Sequence, residues 1–72
     1  MNAASRVIGL AVNGEPAAAE AATLEALLAE LGHDPAAVAT ALNGEFVPRR
    51  KRAQTPIQDG DRVEILAPRQ GG

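Results

Sequence analysis

Cysteine, tryptophan and tyrosine do not occur in this 72-residue chain, and phenylalanine and histidine occur once each, as Phe46 and His33. Each absence removes an explanation. Without cysteine there is no disulfide framework and no thiolate metal site. With one histidine, a His-rich metal centre is excluded and a catalytic triad is out of reach. No apolar run approaches the ~20 residues of a membrane span. Residues 1–6 lack the apolar segment of a secretory signal, so the expected location is cytoplasmic. Charge of either sign is also modest. Seven Lys and Arg against nine Asp and Glu leave a formal charge of −2, which argues against a dedicated nucleic-acid binder. Bulk is scarcer than the 46% apolar content suggests, because 16 of those 33 residues are alanine. Apart from Met1, only 16 large apolar side chains remain to build a core. A domain of this size buries only ~60% of its unfolded surface.

What is present is well punctuated. Ile8, Leu10 and Val12 alternate with Val7, Gly9 and Ala11, the period of a strand over 7–12. Asn13-Gly14 then fits a type I′ hairpin turn, whose two central residues need φ > 0. The return strand, 15–20, contains Pro16, which donates no hydrogen bond and so belongs at a sheet edge. Thr23 is a good helix N-cap with Glu25 in the first turn. Leu24, Leu27, Leu28 and Leu31 form one apolar stripe, read as core. Gly32 suits the left-handed residue that ends a helix, and Pro35 blocks its continuation. His33, just past that end, is read as a helix-end or surface residue rather than a ligand or base.

A second hairpin follows: strand 38–42, the turn Asn43-Gly44, and strand 45–47. Ala-Val-Asn-Gly-Glu at 11–15 and Ala-Leu-Asn-Gly-Glu at 41–45 are read as two hairpins with the same turn chemistry. Residues 49–61 form a loop with at most one short helical turn, ending in the tight turn Asp59-Gly60-Asp61. The last strand spans 62–67, with Val63 and Ile65 on one face and Leu66 on the other. Phe46 is assigned to the core because the chain has so little bulk. Arg49-Arg50-Lys51-Arg52 is the main charge run, open to two readings: a solvated loop, or a docking patch for an acidic partner surface. The order ββαββ-loop-β is an α+β roll, one sheet with a helix on its apolar face.

The sharpest feature follows the last strand: Ala67-Pro68-Arg69-Gln70-Gly71-Gly72. Pro68 stiffens the exit. A Gly-Gly end fits a narrow channel and offers its α-carboxylate to a partner's active site, where a side chain would obstruct the approach.

Together these residues resemble the ubiquitin-like β-grasp fold and, more narrowly, the ThiS family of bacterial sulfur carriers of thiamine biosynthesis. The likeness is carried by Val12-Asn13-Gly14-Glu15, Thr23-Leu24 with Leu27-Leu28, and Ala41-Leu42-Asn43-Gly44-Glu45. It continues through Val47-Pro48-Arg49, Asp59-Gly60-Asp61, Val63-Glu64-Ile65-Leu66 and Gly71-Gly72, covering roughly residues 8–72. Where many relatives have an aromatic residue shortly after Arg49, this chain has Lys51-Arg52.

The resemblance implies a mixed sheet of about five strands in the order 2-1-5-3-4 on one helix, with a β-grasp domain at 1–67 and a flexible tail at 68–72. It implies a protein co-substrate and not an enzyme, with no cofactor or metal of its own. A partner adenylyltransferase, using its own ATP and Mg²⁺, would activate Gly72. Sulfur originating from a cysteine desulfurase would convert the adenylate to a thiocarboxylate, and thiazole synthase would receive it. Gly71, Gln70, Arg69 and Pro68 would occupy the partner's channel, and Leu66 and Arg49 would be docking contacts. The alternatives are the small subunit of molybdopterin synthase or another ubiquitin-like carrier or modifier. A basic-loop RNA-binding module is disfavoured by the overall charge.

Overall fold

The computed structural model of the protein describes residues 6–67. Strands β1 (Ile8–Val12) and β2 (Glu15–Ala19) form an antiparallel hairpin. Its turn has φ of 54° at Asn13 and 83° at Gly14, both positive as a type I′ turn requires. Helix α1 (Leu24–Glu30) follows. Thr23 opens it, its side chain accepting the Ala26 N–H at 3.1 Å. At the other end the His33 N–H reaches Leu28 O at 2.9 Å and the Gly32 N–H reaches Ala29 O at 3.1 Å. With Gly32 at φ 83°, this is a Schellman motif, in which two orphan carbonyls find donors.

A short 3₁₀ helix, Pro35–Ala37, is opened by Asp34. Strands β3 (Ala39–Leu42) and β4 (Glu45–Val47) form the second hairpin around Asn43 and Gly44, at φ 51° and 86°. A 3₁₀ helix, Arg49–Gln54, leads through a loop to β5 (Arg62–Leu66). The sheet order is β2-β1-β5-β3-β4, as the resemblance implies. β5 is central, parallel to β1 and antiparallel to β3. Pro16 sits on the edge strand β2, where its missing N–H interrupts no ladder.

The core lies between the sheet and α1. Ile8, Leu10, Ala19, Val47, Val63 and Ile65 enter from the strands, and Leu24, Leu27 and Leu28 from the helix. Ile57 completes it from the loop. That loop is pinned: Leu24 N–H donates to Thr55 O at 2.9 Å and Ile57 N–H to Ala22 O at 3.1 Å.

Three sequence expectations are corrected. Leu31 is 39% exposed; it is the C-cap residue, where the helix ends and the chain turns away through Gly32. Phe46 is 69% exposed. Side chains alternate along a strand, so a buried Val47 sends its neighbour Phe46 to the opposite face. Arg52 belongs neither to a solvated loop nor to a docking patch, being only 2% exposed beneath the second 3₁₀ helix.

Candidate functional site

The site is built on the outer face of the sheet, away from α1. Along β5, Val63 and Ile65 are buried while Arg62, Glu64 and Leu66 are exposed, the alternation that the sequence indicates. Pairing sets Leu66 against Ala39, and Ala41 against both Glu64 and Phe46. Leu66 and Phe46 therefore share one face, separated only by the two alanines of β3. Alanine adds little height, so the two large side chains stand clear of the surface around them. Leu66 is 65% exposed, and with Phe46 it forms an apolar patch immediately before the tail. Phe46 is the functional candidate that the sequence reading missed. Its alternation with Val47 would have placed it here.

Arg49 is exposed on the segment that follows β4, and so are Arg50 and Lys51. The basic run is thus three solvent-facing cations and one buried one. The geometry brings Leu66 and Phe46 onto one face and leaves Arg49 on the connection beside β4. Pro68, Arg69, Gln70, Gly71 and Gly72 lie outside the described residues.

Among the described residues, no three His, Asp or Glu side chains group to hold a metal ion. His33 is half-buried at the helix C-terminus, as expected. A concavity walled by Arg6, Glu20, Gln58 and Asp59 presents no nucleophile with a base beside it. Asp59 is engaged there, accepting the Gly9 N–H at 2.7 Å. No helix among the described residues is long and apolar enough to cross a membrane.

A five-stranded mixed sheet in this order, wrapped on one helix, defines a ubiquitin-like β-grasp domain. The described part offers an exposed apolar patch on the outer face of the sheet rather than a catalytic cluster. The comparisons sharpen that class. The crystal structure of the thiamine biosynthesis protein ThiS from Geobacter metallireducens superposes with a TM-score of 0.76 at 35% identity, covering 90% of this chain and all of that one. The solution structure of a thiamine biosynthesis protein from the same organism gives 0.75 at 36% identity, covering 90% and 88%. The sulfur carrier protein ThiS of Thermus thermophilus is 41% identical over 61 residues, 85% of this chain and 95% of the relative. A thiazole synthase of Paramagnetospirillum magneticum is 48% identical over 59 residues, 81% of this chain; the chain spans only 18% of that protein's length. The ThiS family model matches residues 10–72. The chain belongs to the ThiS family, the sulfur carriers of thiamine biosynthesis.

Proposed function

We propose that this protein carries sulfur as a thiocarboxylate on Gly72 and delivers it for the thiazole ring of thiamine. The observation that carries the reading is the family match through residue 72, on a fold whose central strand leads directly into those last residues. The reading divides the chain into a β-grasp domain, 1–67, and a tail, 68–72, which acts in the cytoplasm.

The chemistry follows from the weakness of a carboxylate as an electrophile. An adenylyltransferase lets the Gly72 carboxylate attack the α-phosphorus of ATP, releasing pyrophosphate and leaving an acyl-adenylate. ATP and Mg²⁺ belong to that partner. Sulfur originating from a cysteine desulfurase as a persulfide, released at the sulfide level by a thiol that is oxidised to a disulfide, then attacks the acyl carbon. The C–O bond to AMP breaks, AMP leaves, and the thiocarboxylate remains. Thiazole synthase accepts the sulfur. The likeness of this chain to part of a protein named thiazole synthase supports that assignment. Gly71, Gln70, Arg69 and Pro68 would occupy the partner's channel, and the absence of side chains at Gly71 and Gly72 suits a narrow passage. Pro68 restricts the exit.

Incubation with ATP, a thiamine-pathway adenylyltransferase and a sulfur donor is expected to exchange one oxygen for sulfur, read by intact mass and localised to Gly72 by fragmentation. No exchange with a partner that thiocarboxylates its own carrier overturns the reading. High-mass conjugates would identify a modifier instead.

Docking is assigned to the Leu66–Phe46 patch, with Arg49 supplying complementary charge to an acidic partner surface. Leu66→Asp and Phe46→Ser are each expected to lower kcat/KM for activation by about tenfold or more, as loss of a large apolar anchor does. Both side chains are mostly exposed, so stability is expected to change by no more than about 0.5 kcal/mol. Titration calorimetry and thermal melts separate the two effects.

A further inference from the structure

The two Asn-Gly turns carry a chemistry that the proposed function does not use. The main-chain nitrogen of a glycine meets no Cβ of its own when it approaches the side-chain Cγ of the asparagine before it. Attack forms an N–Cγ bond and breaks the Cγ–Nδ2 bond. Ammonia leaves with the proton of the glycine N–H, and a succinimide ring remains. Water then opens the ring to aspartate or isoaspartate, with no oxidant or reductant involved. All four turn residues, Asn13, Gly14, Asn43 and Gly44, are exposed, so water reaches both pairs. What differs is the restraint on each amide. Asn13 is held by one main-chain unit: its Oδ1 accepts the Ile65 N–H at 2.8 Å and its Nδ2 donates to Ile65 O at 3.1 Å, both partly buried. Ile65 is itself fixed in the sheet by β3. Asn43 also uses its Oδ1 on main chain, accepting the Arg62 N–H at 2.9 Å. Its Nδ2, the group that would leave, donates instead to one side chain at the surface, Asp61 Oδ1, at 3.1 Å. The other Asp61 oxygen accepts the Gln58 N–H at 2.7 Å, which sets the direction of the carboxylate.

We propose that Asn43 is a latent deamidation site and that Asp61 is its guard, holding the side-chain amide out of reach of the Gly44 nitrogen. Once the amide is lost, the fold does not restore the turn. Aspartate at 43 sets a second carboxylate against that of Asp61, and like charges at hydrogen-bond distance repel. Isoaspartate adds a carbon to the main chain inside a two-residue loop, whose length sets the register of the hairpin. The pairs displaced are Leu42 with Glu45 and Ala41 with Phe46. Phe46 therefore leaves its place beside Leu66, and modification at Asn43 dismantles the docking patch. This last consequence rests on the docking reading above; the site and its guard do not.

The test ages the parent, Asp61→Ala and Asp61→Asn in warm, mildly alkaline buffer and follows amide loss by mass, mapped to Asn13 or Asn43 by fragmentation. Asn13 is the control within each molecule, because global unfolding exposes both turns alike. In the folded parent, loss at Asn43 is expected to be about tenfold or more slower than in the same chain unfolded in urea. Asp61→Ala is expected to speed loss at Asn43 about tenfold, as removing a hydrogen bond to a charged group does. Loss at Asn13 is expected to stay within about twofold of the parent. Asp61→Asn keeps an acceptor for Nδ2 without the charge, and its rate at Asn43 is expected to fall between the two. It also decides the matter if Asp61→Ala does not fold: acceleration confined to Asn43 supports the proposal. Equal acceleration at both asparagines, or an unchanged rate at Asn43, overturns it. Parent chain modified at Asn43, separated by its added negative charge, is then assayed with the adenylyltransferase. Its kcat/KM is expected to fall about tenfold, the loss argued for Phe46→Ser. Undiminished activation after selective loss at Asn43 would overturn the docking role of Phe46 and leave the guarded site standing.

Discussion

Replacing Arg52 with alanine is expected to cost about 3–4 kcal/mol, most of the stability a domain of this size possesses. Arg52 is the largest fully buried side chain among the described residues. Its Nε donates to Thr40 Oγ1 at 3.1 Å, its Nη1 to Pro35 O at 2.9 Å and its Nη2 to Val38 O at 2.8 Å. Thr40, itself 1% exposed, donates its hydroxyl hydrogen bond to Val47 O at 2.9 Å. One guanidinium thus ties the second 3₁₀ helix to the segment entering β3 and, through Thr40, to β4. Alanine would leave three acceptors short of a donor and open a void where the stem packs. Such charge-assisted bonds are stronger than neutral ones, and the planar fork that makes three at once has no equivalent in lysine. Arg52→Lys is therefore expected to lose about 2 kcal/mol, whereas Lys51→Ala, next to it and exposed, should stay within about 0.5 kcal/mol. Urea titrations followed by circular dichroism are the measurement, since the chain has no tryptophan or tyrosine to report by fluorescence. An Arg52→Ala variant whose midpoint matches that of Lys51→Ala would refute the assignment.

Arg52 also marks the limit of what could be read without coordinates. Within Arg49–Arg52 nothing local distinguishes the buried cation from its exposed neighbours. The carbonyls that fix it come from Pro35 and Val38, 17 and 14 positions away. The side chain of Asn13 is a similar case. Asn-Gly announces a type I′ turn because the turn's demand for positive φ is local, but the Ile65 partner lies 52 positions on. Features set by neighbouring residues were legible: both turns, the Thr23 cap, the Gly32 terminus and the edge placement of Pro16. Phe46 was assigned to the wrong face, and Ile57 carried no assignment. Scarcity of bulk argued Phe46 into the core, when the alternation with Val47 already pointed it outward. Ile57, between a proline and a glutamine, has no periodic neighbours to reveal that it faces inward. The outer patch depends on the sheet order, which brings Leu66 and Phe46 to either side of β3. Sequence periodicity cannot supply that order; the family resemblance did.

Deleting Gly72, or adding one residue after it, is expected to reduce activation by about a hundredfold or more while the melting curve stays where it is. The stability half of this follows from the core, whose last strand residue is Ile65; Gly72 is seven positions further along the sequence. The activity half follows from distance. One residue of extended chain spans about 3.3–3.6 Å, so deletion withdraws the carboxylate from the α-phosphorus by about that length. A misplacement of about 1 Å at a reacting centre can already cost a hundredfold. Addition acts differently. Gly72 then ends in an amide, which cannot take part in adenylation as a carboxylate does, and the new carboxylate overshoots the site. Gly71→Val provides the complementary arm: the carboxylate keeps its distance, but a branched side chain enters the narrow route. Pyrophosphate release and intact mass measure all three. If deletion unfolded the domain, residues 68–72 would be part of the folded unit and the division at 67 would fall. If the deleted chain were still thiocarboxylated at the parent's rate, the reacting carboxylate would not be read at a fixed distance from the docking face.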